Sequence, residues 1–240
     1  MIDALYKDRM DLFWNRFGRR LARTGLTANH VTAIGLLLCT LNVLVFLWHR
    51  NLAVFGVALG LIELLDNLDG AVARVTGEST RFGSYLDATT DRYKELLIFL
   101  ALGYVTGYWV VCVLAVTGSL MVSYSHARAA MELTGSEADG KGAEHGAGGT
   151  SEERGRPEER GWPDLFERFE RILTLSLGLA LSPLVSSPLF LGRDLIFFVL
   201  CGLALMTHLT VLQRFRRART LLVAADASAP QRRSNLEGSG

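Results

Sequence analysis

Long apolar runs alternate with short polar connections along most of the chain, and the runs approach the roughly 20 residues that a helix needs to cross a bilayer. The pattern predicts six spans, at residues 31–49, 52–75, 85–107, 109–133, 166–188 and 194–213. Two stretches break the alternation. Ahead of the first span, Ile2, Leu5, Tyr6, Phe13, Phe17 and Leu21 recur at helical spacing, while Lys7, Arg16, Arg19, Arg20 and Arg23 supply a basic side. Residues 1–24 therefore read as an amphipathic helix lying on an anionic membrane surface. Charges recur through the whole stretch, so it lacks the uninterrupted apolar core of a signal peptide. Between the fourth and fifth spans, residues 136–161 are rich in Gly, Glu and Arg and nearly devoid of apolar side chains, which predicts a polar loop unable to fold alone. The expected fold class is all-α integral membrane: a juxtamembrane helix (1–24), a six-span membrane domain (25–218) and a polar tail (219–240).

Composition agrees and adds sidedness. The chain of 240 residues is half apolar, with a formal net charge of +1, which fits neither a nucleic-acid binder nor a disordered protein. Six Lys and Arg precede the first span, and Arg214, Arg216, Arg217, Arg219, Arg232 and Arg233 follow the last. The first, third and fifth connections hold only Arg50 and Arg193. By the positive-inside rule both termini face the cytoplasm, and the expected location is the plasma membrane. Cys39, Cys112 and Cys201 each sit inside an apolar run without metal-ligand spacing, so they read as small core residues.

Carboxylates interrupt two of the spans. In the second, LLDNLDGAVAR places Asp66, Asp69 and Arg74 in an otherwise apolar helix; in the third, YLDATTDRYKE places Asp87 and Asp91. Spacings of three and four residues put each pair on one helical face. Four carboxylates in one pocket repel one another unless cations lie between them, and Mg²⁺ or Mn²⁺, which take oxygen ligands, fit that requirement. Two such ions can clamp the attacking and leaving oxygens of an in-line displacement, so phosphoryl transfer is the expected chemistry. Gly70, Ala71, Ala73 and Gly83 keep the surrounding backbone accessible to a bulky ligand, and Arg74 can neutralise a phosphate. Singly, each residue has an ordinary use as an ion pair or a helix contact.

In order, these residues spell D-x2-D-G-x2-A-R-x8-G-x3-D-x3-D, complete at Asp66, Asp69, Gly70, Ala73, Arg74, Gly83, Asp87 and Asp91. The pattern resembles the signature of the CDP-alcohol phosphotransferase family. The resemblance implies that an acceptor hydroxyl attacks the β-phosphorus of a CDP-linked donor and CMP leaves. It also implies two Mg²⁺ or Mn²⁺ ions on Asp66, Asp69, Asp87 and Asp91, with Asp91 as general base, a nucleotide pocket of Gly70, Ala73, Arg74 and Gly83, and a homodimer. In LTANHVT, Asn29 and Thr32 resemble a polar pair near the donor diphosphate; an ordinary helix start with Asn29 as N-cap is the alternative.

For the acceptor, SYSHARAAMELTG and ERFERIL resemble segments of phosphatidylinositol-phosphate and archaetidylinositol-phosphate synthases whose basic residues hold the phosphate of inositol phosphate. His126, Arg128, Arg168 and Arg171 are the matching positions, with His126 standing where those synthases carry Lys and Ala130 replacing Glu. The expected reaction moves a phosphatidyl-type group from a CDP-linked lipid to a small, phosphorylated acceptor. Alternatives within the family are glycerol phosphate, serine or another acceptor, or transfer of a CDP-linked head group to diacylglycerol. Outside it, a divalent-cation transporter also carries intramembrane carboxylates.

Overall fold

The computed structural model describes residues 20, 25–76, 80–138, 168–185 and 192–237; within these, the side chains of 67, 69–71, 73–75, 134–138 and 228–237 are left aside. The expected surface helix at 1–24, Arg20 apart, and the loop at 136–161, beyond its first three residues, lie outside the described residues. Six α-helices occur among the described residues, with no strand: α1 (Ala28–His49), α2 (Leu52–Thr76), α3 (Arg81–Thr106), α4 (Trp109–Ala138), α5 (Arg168–Leu181) and α6 (Leu195–Glu237).

Local chemistry sets their ends. Thr27 precedes α1 in an extended conformation, its N–H donating to Nδ1 of His30 at 3.3 Å. Arg50 closes α1 in the left-handed region (φ 54°), its N–H returning to the Phe46 carbonyl at 2.8 Å. Asn51 then opens α2, with Oδ1 accepting the N–H groups of Ala53 and Val54. So short a link makes α1 and α2 antiparallel neighbours, and the Phe46 and Phe55 rings stack across it at 4.1 Å. Thr80 caps α3 by accepting the Gly83 N–H at 2.9 Å, and Gly107 (φ 77°) ends it.

Two helices depart from expectation. α5 stops at Leu181 and tightens into a 3₁₀ turn, Ser182–Leu184, because Pro183 cannot continue an α-helix. α6 runs on to Glu237 through the expected polar tail: residues 214–229 contain neither Gly nor Pro, and the helix continues past Pro230.

The chain divides into two compact units. The first (Met1–Val116 with Arg168–Ala204) contains α1, α2, α3, α5 and the leading parts of α4 and α6. Here α2 packs on both α1 and α5, and α1 also on α3, around Phe46, Phe55, Leu59, Ile98, Leu102, Leu175 and Leu179. Small residues let α2 and α5 come close. A Cβ at Gly56 would meet Leu179 and the Ser176 carbonyl, one at Gly60 would meet Ser176 Oγ, and that hydroxyl donates to the Gly56 carbonyl at 2.7 Å. The second unit (Thr117–Glu167 with Leu205–Gly240) pairs the later part of α4 with the remainder of α6. Gly118 lies against Thr207, and Arg214 Nη1 donates to the Val122 carbonyl at 2.7 Å.

α1, Trp109–Leu133 and Leu195–Ala227 are long and apolar enough to cross a membrane. In α2 and α3 the charges of the acidic segments dilute the apolar run, and α5 is described over 14 residues.

Candidate active site

Three helices of the first unit bring charged side chains to one place. α2 supplies Glu63 and Asp66, one turn apart; α3 supplies Asp91, Arg92, Lys94 and Glu95; α5 supplies Arg168 and Arg171. Arg168 is the hub. Its Nη1 donates to Glu63 Oε1 at 2.9 Å, and its Nη2 lies 2.9 Å from Asp91 Oδ1 and 3.4 Å from Asp66 Oδ2. Lys94, only 3% exposed, donates to the same Asp66 oxygen. Behind them Arg171 donates to Glu95 Oε1 at 3.1 Å, and Arg92 Nη1 stands 3.5 Å from Glu95 Oε2. Taking these charges out of water is costly unless each is compensated, and here four carboxylates meet four cations.

Several polar atoms of the cluster are buried without a hydrogen-bond partner, among them Oδ1 of Asp91 and Nε of Arg168. Oδ1 of Asp66 is buried without a hydrogen-bond donor, on the side of Gly35 of α1, where a Cβ would collide with it. An unsatisfied carboxylate oxygen in such a place is a cost that a cation would relieve. Among the described residues no three Asp, Glu, His or Cys side chains converge as a metal ion requires. The side chain of Asp69, expected in the set, lies outside the described residues, and Asp87 is exposed one turn before Asp91.

The other expected residues distribute unevenly. Asn29 and Gly83 are brought together: a Cβ at Gly83 would stand 3.0 Å from Asn29 Oδ1 and 3.1 Å from Thr80 Oγ1. The cap of α1 is Thr27 rather than Asn29, which leaves the Asn29 amide in the first turn beside α3. Thr32 is buried, its hydroxyl donating to the Ala28 carbonyl at 3.1 Å. The side chains of Gly70, Ala73 and Arg74 lie outside the described residues, though their backbone is helical in α2. Of the expected acceptor residues, Arg168 sits in the carboxylate cluster, and Arg171 is 5% exposed behind it. His126 and Arg128 belong to the second unit, where Arg128 is exposed and paired with Glu132 one turn along α4.

Glu63, Lys94 and Glu95 were not expected at the site. Their spacing carried a signal, since Glu63 is three residues before Asp66, and Lys94 and Glu95 are three and four after Asp91, all within reach of one face.

Comparisons with known proteins converge. Residues 25–145 match the family model for CDP-alcohol phosphatidyltransferase. The archaetidylinositol phosphate synthase of Pyrococcus horikoshii is 43% identical over 123 residues, covering 50% of this chain and 63% of that protein. The phosphatidylinositol phosphate synthase of Mycolicibacterium smegmatis is 30% identical over 205 residues, covering 82% and 80%. Against the first curated relatives, the chain spans slightly under two thirds of their length, 63% and 66%. Among solved structures, phosphatidylinositol phosphate synthase of Mycobacterium tuberculosis with CDP-DAG bound superposes with a TM-score of 0.62 at 25% identity, over 85% of this chain and 92% of that one. The same protein in complex with manganese and citrate gives 0.63 at 25% identity, over 86% and 89%.

Proposed function

The chain belongs to the CDP-alcohol phosphatidyltransferase family, and on that premise we propose that it transfers a phosphatidyl-type group from a CDP-linked lipid to the hydroxyl of a small, phosphorylated, inositol-phosphate-like acceptor, with release of CMP. The observation that carries the acceptor reading is the charge balance of the cluster around Arg168. Its carboxylates and cations already offset one another. Asp69 and Asp87 would offset only half the charge of two divalent ions, so a loaded site carries surplus positive charge, suited to a diphosphate donor and a phosphorylated acceptor. A neutral lipid acceptor would have no use for that surplus.

Asp66, Asp69, Asp87 and Asp91 would hold the ions, the buried and undonated Oδ1 of Asp66 supporting the fit. Two bound Mg²⁺ or Mn²⁺ ions would polarise the phosphoryl oxygens and neutralise charge on the attacking and leaving groups. Asp91 takes the acceptor hydroxyl proton as the new P–O bond forms and the bond to CMP breaks. Arg168, whose Nη2 lies at Asp66 and Asp91, exchanges a carboxylate for the phosphate of the acceptor. Asn29 and Gly83, which lie close together, would line the donor pocket; Gly70, Ala73, Arg74 and Thr32 belong to it on their sequence pattern. Arg171, His126 and Arg128 belong to the acceptor proposal on their sequence pattern.

The family is integral to membranes. Six crossings, cytoplasmic termini and active site, residence in the plasma membrane and a homodimeric assembly complete the proposal; the sidedness of Lys and Arg supports the orientation, and the family resemblance supports the dimer.

The test is CMP release by purified protein supplied with Mg²⁺, a CDP-diacyl lipid and separate acceptors: inositol phosphate, free inositol, glycerol phosphate, serine and diacylglycerol. Inositol phosphate should be preferred by at least about tenfold in kcat/KM. Preference for a neutral acceptor would sink the charge-balance reading, and no CMP release with any pair would sink the activity.

A further inference from the structure

The acidic signature accounts for Asp66 and Asp91 but not for the third carboxylate that Arg168 grips. Glu63 lies outside the signature, is 7% exposed, and sits one turn before Asp66 on the same face of α2. An ionised carboxylate buried this far among packed helices is expensive to keep unless it is compensated. Its grip on Arg168 suggests a role.

A guanidinium is a rigid planar fork, so holding one terminal nitrogen sets the direction of the other. Arg168 divides its fork cleanly: Nη1 on Glu63 at 2.9 Å, Nη2 between Asp91 at 2.9 Å and Asp66 at 3.4 Å. Asp66 and Asp91 are the two partners that would turn to cations in a loaded site. Nη2 would then lose its carboxylates, and a long, flexible Arg side chain held by nothing else would be free to swing away. Glu63 has no such competing duty, because it stands outside the proposed ion ligands.

We propose that Glu63 is a positioning residue for the transfer reaction: it anchors Nη1 of Arg168 so that Nη2 stays at Asp66 and Asp91, aimed at the phosphate of the incoming acceptor. This rests on Arg168 being the ligand of the acceptor phosphate. The competing account is a structural lock, in which the Glu63–Arg168 pair merely ties α2 to α5.

The two accounts separate kinetically. The full chain, in lipid vesicles with Mg²⁺ and a CDP-diacyl lipid, is assayed with inositol phosphate as Glu63→Gln, Glu63→Asp, Arg168→Ala and the Glu63→Gln/Arg168→Ala pair. Glu63→Gln keeps an acceptor oxygen but not the charge, and should raise the acceptor KM about tenfold while the donor KM changes less than about twofold. Glu63→Asp, which restores the charge on a shorter stem, should recover part of that loss. In the Arg168→Ala background, Glu63→Gln should add nothing, because a residue acting through Arg168 has nothing left to position.

Equal rises in donor and acceptor KM, or a Glu63→Gln effect that persists in full without Arg168, would overturn the positioning role in favour of the lock. Should Glu63→Gln fold poorly, Glu63→Asp with and without Arg168→Ala decides by the same additivity test. An Arg168→Ala protein with an unchanged acceptor KM would instead overturn the phosphate-ligand reading, and the Glu63 role with it.

Discussion

Helix α2 meets α5 in two places that are built in opposite ways. Toward the start of α2, Gly56 and Gly60 admit Ser176 and Leu179 so closely that backbone nearly touches backbone, and the contact is one of shape. Farther along, the same two helices, with α3, meet through Glu63, Asp66, Asp91, Lys94, Arg168, Glu95 and Arg171, and the contact is one of charge. A packed seam has no second arrangement to adopt, since close-packed surfaces lose contacts on any shift. An ion-pair cluster can exchange one partner for another of the same charge. The seam therefore suits holding the helices at a set spacing, and the cluster suits admitting cations and phosphates.

Substitutions should divide along that line. The largest effect is expected at Asp91: Asp91→Ala should lower CMP release about a thousandfold through loss of the base and an ion ligand. Its thermal midpoint should stay near wild type, because Arg168 retains Glu63 at 2.9 Å and Asp66 at 3.4 Å. An Asp91→Ala protein with full activity would break the assignment of chemistry to this end.

Next comes Arg171→Met, which strips a cation from Glu95, itself 1% exposed. Breaking one side of a buried pair should destabilise the chain by about 3 kcal/mol, read from thermal unfolding in detergent. A stable Arg171→Met variant with a raised acceptor KM would move Arg171 from support to direct substrate contact.

Gly56→Val should cost about 1–3 kcal/mol, because its Cβ meets Leu179 Cβ and the Ser176 carbonyl, neither of which can yield without moving α5. Among the molecules that remain folded, KM for both substrates should rise together, unlike the split expected at the charged end. The smallest effect on stability belongs to Arg128→Ala. It removes an exposed i,i+4 pair with Glu132, which contributes no more than about 0.5 kcal/mol. A raised acceptor KM without loss of stability would place Arg128 at the acceptor.

Much of the charged end was legible in advance. The signature pointed to α2 and α3 and to two of the cluster's carboxylates, Asp66 and Asp91, and the ERFER segment pointed to Arg168. Arg168 and Arg171 both match the acceptor pattern, and the structure pairs the first with Asp91 and the second with Glu95. Residues 168 and 171 share an amphipathic helix, and only the identity of what packs on each decides which charge is presented. The packed end was nearly silent: Gly56, Gly60 and Ser176 look like any small residues in an apolar run until α5 is laid against α2.

By itself, the sequence determined the helices, the apolar lengths and the ordered carboxylates, because hydropathy and helical periodicity are properties of neighbours three or four positions apart. Only the tertiary structure decided that Glu63 holds Arg168, 105 positions away, and that Lys94 holds Asp66, 28 positions away. Coulomb attraction and hydrogen bonding act over a few ångströms of space, whatever the separation along the chain, so no periodicity records them.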